Sequence, residues 1–577
     1  MTRIASSMDT PAAIIRIYRN LAYPNVEWPK LDLLTLLFDS EHSLATDDTV
    51  LHASAEDPSC RLTKQGLKRL SQQIAHCLRA SYGIGAQGPN KDVVTVMSHG
   101  QSMAPAVFFG IIAAGGVYSA ASASLTVDEL VHQVRLAQSQ VIICSSEVKD
   151  VAWKAVMTCH IRPENVLVLE SIPSWSLRRL FDNVDILSRR QLDWERLTDQ
   201  HQLEESIIVI IWSSGTTGVP KGVMLSHANL VSQVFITHFQ GREAAHKQLE
   251  QGTYEHVDFR TLAHLPASHI SGLFGYFISA FYGGGTVVWM RKYQWDQFLR
   301  YAKQYRITYL FTVPSIYLRI AKSPDVTDQF AWLKDASTGS APMGAILQTT
   351  ASARLGIAEG ALIAPSWGLS ETTGALTMGQ SHQDNGMGSL GPILPCLKVR
   401  LVDDDYNDVN DGEPGELLVR GPTVMRGYLN NASGTKDAFH DGWFRTGDIA
   451  VRRTGKFYMV DRKKELLKYK GLQIAPAELE HLLVTHPAIL EAAVIGVPAP
   501  DDPSSELPRA YVTVVGTARV SVEEVKGFVK ARVAPYKQLR GGLVFIDEIP
   551  KNASGKISRR ELRERAKKEV GRERAKL

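Results

Sequence analysis

Between about residues 90 and 365 short, nearly continuous apolar runs alternate with helical segments. The runs are VVTVM (93–97), VIIC (141–144), VLVL (166–169), IIVIIW (207–212), TVVWM (286–290) and ITYLFTV (307–313). Strands with almost no polar face are covered on both sides, as in parallel or mixed sheets. One helix between them announces its own start, because Thr126 and Glu129 have the spacing of a capping box. The pattern predicts an α/β architecture of layered sheets.

The segment APAVFFGIIAAGGVYSAASAS (104–124) is apolar enough to raise a membrane span. Gly110, Gly115 and Gly116 interrupt it, and TVDE opens an amphipathic helix directly after it. It reads as a buried helix followed by a buried strand, with no membrane span. After residue 390 the texture changes to short strands, KVRLVDDD, GELLVRG and KFYMVD, set among Gly, Asp and Asn turns. A small β-barrel or sheet is expected there. From Asp461 a compact unit follows, with helices opened by Pro476 and by a Ser521/Glu524 capping box, and with strands AAVIGV and GLVFI. The boundary is placed at 460/461, giving units 1–460 and 461–577.

Composition narrows this little. A chain of 577 residues is too long for one core. A net charge of +4 is too small to imply nucleic acid. The five cysteines are scattered without a C-x-x-C pair, which fits reduced thiols and argues against disulfides or zinc. The N-terminus lacks the apolar core of a secretory signal. The last three residues, Ala575, Lys576 and Leu577, are a close variant of the S-K-L peroxisomal address. They make a peroxisomal import receptor an expected partner; without that address the expected location is cytoplasmic.

The candidate chemistry begins in IIWSSGTTGVPKGVMLSH, Ile210 to His227. A buried strand ends at Trp212, and the following loop offers hydroxyls from Ser213, Ser214, Thr216 and Thr217. Gly215, Gly218 and Gly222 let backbone approach a ligand, and Lys221 adds a mobile positive charge. Exposed N–H groups in such a loop form an anion nest suited to a nucleotide polyphosphate. It is not a Walker A loop, because Pro220 stands where that motif needs glycine and Gly222 where it needs a hydroxyl. A P-loop kinase or ATPase is thereby set aside.

SSGTTGVPKG resembles the signature loop of the adenylate-forming superfamily, and further matches follow in order: LPASHISGL (265–273), GSAPMG (339–344), SWGLSETTG (366–374), GELLVRGPTVMRGYLNN (415–431), GWFRTGD (442–448), DRKKELLKYKGLQIAPAELE (461–480) and PKNASGKISRREL (550–562). The last two are especially similar to coumarate–CoA ligases and luciferases. The resemblance implies a large N-terminal domain of layered sheets with a small β-barrel, followed by a mobile α+β domain. It also implies an enzyme that joins a carboxylic acid to the α-phosphate of ATP, with Mg2+, and then passes the acyl group to the thiol of CoA.

The same resemblance assigns residues. Lys556 matches the adenylation lysine, Glu371 the glutamate associated with Mg2+, and Ser370 a hydroxyl donor to the α-phosphate. Asp448 matches the ribose-binding aspartate, Arg462 lies near the nucleotide, and Trp367 stands where tyrosine is usual. His269 matches the residue between carboxylate and phosphate sites. The second half-reaction implies a rotation about Lys464, with Gly471 giving passage to pantetheine and Lys468 nearby. The acyl pocket is expected from His269, Gly272, Gly339, Ser340, Ala341, Ser366 and Gly368, with Gly272 and Gly275 opening room. Ala364-Pro365-Ser366 replaces a Gly-Gln-Gly run, so fatty, aryl-alkanoic and polyketide-like acids all stay open. Two alternatives stay open too. One is a stand-alone adenylating enzyme serving a separate carrier protein or an amine, since no carrier-domain serine motif follows residue 562. The other is a non-catalytic nucleotide-binding descendant, which would not keep Lys556, Glu371 and Asp448 on one cleft.

Overall fold

The apolar runs of the N-terminal half pair with one another at the centre of the largest sheet. A computed structural model of the protein describes residues 15–574, apart from 24, 214–219, 253–255, 358–359, 382, 384, 471, 501, 503–504, 517 and 553–554. The central strands, in spatial order, are Ile207–Ser213, Val117–Ala121, Val93–Met97, Val141–Ser145 and Val166–Glu170, and all four pairings are parallel. Antiparallel strands close the edges: Lys221–Ser226 and Gly427–Tyr428 on one side, Ser176–Arg179 on the other. Burial on both faces explains why the inner strands read as unbroken apolar runs.

The doubtful stretch 104–124 is a fully buried helix, Ala104–Ala113, followed by the central strand Val117–Ala121. The helix packs on Lys64–Tyr82 so tightly that a Cβ on Gly110 would lie 2.7 Å from Ile74 Cγ2. No helix among the described residues is long and apolar enough to cross a membrane. Helix Val127–Ala137 starts as expected, with both halves of the Thr126/Glu129 capping box in place.

Two four-stranded sheets follow. In one, Arg260–Ala263, Thr286–Trp289 and Val50–Ser54 run parallel beside Arg61–Thr63. In the other, Tyr309–Thr312, Asp335–Thr338 and Ala364–Leu369 run parallel and Gly374–Met378 returns antiparallel. After residue 390 five described strands join Tyr18–Arg19 in a six-stranded antiparallel sheet whose ends do not pair, so it is open where a barrel or sheet was expected. Its strand Trp443–Arg453 pairs with Lys456–Arg462, placing Asp448 opposite Arg462.

The C-terminal α+β domain has its own sheet, Ile489–Pro498, Glu506–Val514 and Gly542–Phe545. Its separate core includes Leu479, Leu483, Val494, Val512, Val525 and Leu543. Pro476 opens its first helix at N1, where a missing N–H costs nothing. At the next helix only half of the expected capping box forms: Ser521 Oγ accepts the Glu524 N–H, while the Glu524 carboxylate lies 3.9 Å from His486 Nε2. All five cysteines are free thiols.

Candidate active site

Two cavities, of about 1100 Å³ and 520 Å³, adjoin where the C-terminal domain meets the large domain. Arg462, Lys464 and Lys556 line both. The larger also contains Ser213, Lys221, His269, Ser370 and Glu371. The smaller contains Ser340, Ala341, Ser366, Trp367, Gly368 and Asp448. Residues far apart in the sequence thus share one continuous site.

The segment expected to cradle phosphate connects two antiparallel strands in which Ser213 faces Lys221. Ser214, Gly215, Thr216, Thr217 and Gly218 lie outside the described residues. Ser213 Oγ donates to Glu371 Oε1 at 2.9 Å, and the buried Tyr428 hydroxyl donates to the same oxygen at 3.1 Å. Burial, then the Glu371 charge, pushes the Tyr428 pKa far up, so the phenol keeps its proton and remains a donor. Lys221 Nζ sits 4.8 Å from the Tyr428 ring centroid, within cation–π range.

Glu371 is carried on a 3-10 turn, Ser370–Thr372, at the end of strand Ala364–Leu369. The Thr372 hydroxyl accepts the Leu369 N–H at 2.9 Å, and Thr373 takes a left-handed conformation at φ 59°. Strained backbone of this kind persists where surroundings over-determine it. The described residues hold no cluster of three metal-ligating side chains. A lone carboxylate fits Mg2+, which prefers one or two carboxylates together with substrate phosphates and water. Glu371 would hold such an ion, which would neutralise charge on the phosphates.

Lys556 reaches the site from a loop of the C-terminal domain. Its N–H donates to Asn552 Oδ1 at 3.0 Å, its carbonyl accepts from Asn552 N at 2.9 Å, and Gly555 makes the turn at φ 79°. A Cβ at Gly555 would lie 3.2 Å from Val313 Cγ2 of the large domain, so the loop is docked rather than hanging in solvent. The lysine pKa is pushed down to about 8, by burial first and then by Arg462; Asp448 and Glu371 oppose the shift. It is therefore a cation near neutrality but a poised one.

Asp448 is almost fully buried and accepts the Trp367 indole N–H at 2.8 Å, while Arg462 Nε stands 3.3 Å from its other oxygen. Trp367 thus orients the aspartate, a link that spacing did not reveal. His269 is drawn down to about 3, by burial and then by the positive charges of Lys556 and Arg462. Its Nδ1 accepts the Ser271 N–H at 3.3 Å and lies 2.8 Å from Ser271 Oγ. A neutral ring accepting at Nδ1 carries its proton on Nε2. Burial, then Arg462, also lowers Lys464.

Some expected positions are placed differently. Gly272 does not open room: a Cβ there would lie 2.2 Å from the Pro266 carbonyl, so it lets the helix start pack on backbone. Gly275, one turn on, has nothing within 4 Å of an added Cβ. Gly339 lines neither cavity; a Cβ would meet Ser366 Oγ at 2.6 Å. Gly368 lines the smaller cavity but also packs where a Cβ would lie 1.9 Å from the Gly374 carbonyl. Ser340 holds a left-handed φ of 67°. Lys468, the exposed residue of strand Leu467–Tyr469, lines neither cavity, and Gly471 is outside the described residues. Tyr428 was missed as a site residue: it stands in the quoted MRGYLNN stretch, but its partner Glu371 is 57 residues away.

A buried aspartate, a docked lysine and a carboxylate beside Ser213 and Lys221 share one cleft between a large α/β domain and a small α+β domain, an arrangement that suits a nucleotide ligand. The chain belongs to the AMP-binding enzymes: that family's model matches residues 41–429, and the model of the AMP-binding enzyme C-terminal domain matches residues 478–556. It is 47% identical over 553 residues to an Emericella nidulans protein named "Putative acyl-coenzyme A synthetase", covering 95% of this chain and 98% of that one. It is 31% identical over 558 residues to a phenylacetyl-CoA ligase of Aspergillus niger, covering 94% and 98%. Among solved structures it is similar to ATP-bound MatB of Rhodopseudomonas palustris, with TM-score 0.77, 25% identity and coverage of 92% and 98%. Against apo MatB the TM-score is 0.67, at the same 25% identity and with coverage of 93% and 99%.

Proposed function

We propose that the protein is an ATP-dependent, AMP-forming acyl-CoA ligase. The observation that carries this reading is Lys556 of the C-terminal domain standing in one cavity system with Glu371, Asp448 and His269 of the large domain. The activities named for the fungal relatives support it. In the first step a carboxylate oxygen bonds to the α-phosphorus of ATP while the bond from that phosphorus to pyrophosphate breaks. Such displacement needs positioning and fixed positive charge more than covalent help from the protein. Lys556 supplies the charge where carboxylate and phosphate meet, Asp448 holds the ribose hydroxyls, and Lys221 with the phosphate loop cradles the leaving pyrophosphate. The Ser370 hydroxyl donates to the α-phosphate, and neutral His269 separates the acid site from the phosphates. In the second step the CoA sulfur bonds to the acyl carbon and AMP leaves.

The second step uses Lys464 as a hinge between units 1–460 and 461–577, bringing Gly471 and Lys468 to the site in place of Lys556. Ala364-Pro365-Ser366 replacing a glycine-rich run, with Pro365 and Ser366 on the smaller cavity, supports an acid other than coumarate: a medium-chain fatty, aryl-alkanoic or polyketide-like acid. The Ala575-Lys576-Leu577 tail supports a peroxisomal location. The test is acid-dependent exchange of labelled pyrophosphate into ATP over a panel of such acids, followed by detection of the CoA thioester. Exchange with thioester establishes the ligase. Exchange without thioester moves the acceptor to a carrier protein or an amine, and no exchange with any acid overturns the reading.

A further inference from the structure

The arrangement that delivers Lys556 to the cavity must be held by contacts that exist only in it. One cation of the large domain reaches across to the C-terminal domain without lining either cavity. Lys322, the last residue of helix Pro314–Lys322, donates from Nζ to the Val484 carbonyl at 3.1 Å and to the Ile489 carbonyl. Val484 caps helix Pro476–Leu483, where the final carbonyls lack intrahelical partners and the helix dipole is negative. No carboxylate pairs with Lys322 among the described residues, and its burial lowers its pKa.

A second contact lies beside it. The imidazole of His481, on the same helix, packs against the large domain, where a Cβ at Gly344 would lie 3.4 Å from its Cγ. Pro342 and Gly344 line the smaller cavity together with Ser340 and Ala341 of the same loop. Helix Pro476–Leu483 is therefore gripped at its end by Lys322 and on its flank by a loop that lines the smaller cavity. If the domain rotates away, the lysine and the two carbonyls are returned to water, so the contact favours one arrangement over the other.

We infer that Lys322 is a positioning residue for the adenylation half-reaction: it latches the C-terminal domain in the orientation that puts Lys556 in the cavity. The assignment of half-reactions rests on the proposed ligase activity; the latch itself rests on the interface alone. Lys322 touches no reacting atom, and its effect is on the population of one domain arrangement.

Two measurements test it. The first needs no catalysis: the rate at which a Gly344→Cys/His481→Cys pair forms a disulfide in the presence of ATP, with and without Lys322→Met, against the single-cysteine controls. The expected result is cross-linking at least about fivefold slower with Lys322→Met, the direction a population shift demands. An unchanged cross-linking rate overturns the latch whatever the activity. The second compares half-reactions in the otherwise unaltered chain. Lys322→Met is expected to slow pyrophosphate exchange about fivefold or more, to leave thioester formation from supplied acyl-adenylate unchanged or faster, and to be largely rescued by Lys322→Arg. Equal loss of both half-reactions marks a structural role and overturns the inference. Slower cross-linking in a protein that performs no exchange keeps the latch and removes the ligase reading.

Discussion

Lys556 carries the sharpest predictions at the scale of single residues. Replacing it with Ala removes the fixed charge at the point of attack, and pyrophosphate exchange is expected to fall by ~10²–10³ or more, the usual cost of removing one such electrostatic group. Thioester formation from supplied acyl-adenylate should survive; loss of both in a folded protein refutes that division. Its pKa near 8 sets a pH dependence. Because the lysine acts as a cation, kcat/KM for ATP is expected to fall as pH rises through about 8, and the limb should move upward in Lys556→Arg. The stability sign is opposite: the unfolded lysine titrates higher, so burying this charge costs most below pH 8 and that cost fades as pH rises towards the unfolded value. Tyr428→Phe removes one of two donors to Glu371 Oε1 while keeping the ring beside Lys221. Losing a hydrogen bond worth about 1 kcal/mol should raise the KM for ATP roughly fivefold with little change in that for the acid. Equal changes in both constants would count against the assignment.

Elements explain why similar-looking glycines differ. Gly272 and Gly275 stand one turn apart on the same apolar helix, and composition cannot tell them apart. The first abuts the Pro266 carbonyl and the second faces open space. Gly272→Ala should therefore cost ~1–3 kcal/mol as overpacking, read as a lower urea midpoint. Gly275→Ala should be neutral or stabilising by up to ~1 kcal/mol, because alanine is the better helix former. Strands were the easiest elements to read, since runs such as VIIC and VLVL are apolar because both faces are covered. The Ser521/Glu524 motif shows the limit of local signals. Its first half depends on backbone geometry that the motif itself dictates, and it forms. Its second half depends on which partner Glu524 meets, and its carboxylate lies near His486, in the turn after helix Pro476–Leu483.

For the whole molecule, the site is an interdomain one, so its completeness depends on how the C-terminal domain sits. Lys556 meets Glu371, Asp448 and His269 through this arrangement, whereas Arg462 is held opposite Asp448 by the large domain's own sheet. Deleting Ala575-Lys576-Leu577 is expected to leave exchange and thioester formation intact and to change the location of a tagged chain in cells. Unchanged organelle targeting would argue against the address. By itself the sequence determined the alternation of strands and helices, the two-domain α/β plan and the ordered motifs, because apolar periodicity and turn chemistry are local properties of neighbouring residues. It also identified Lys556, Glu371 and Asp448 as members of one site, through motifs rather than through any visible contact. Only the tertiary structure decided that Tyr428 and Ser213 share one oxygen of Glu371, that Trp367 orients Asp448, that Gly272 is packed while Gly275 is open, and that Lys322 reaches the end of another domain's helix. These are contacts between residues far apart along the chain, and what a side chain meets across an interface is set by packing, not by its neighbours in sequence.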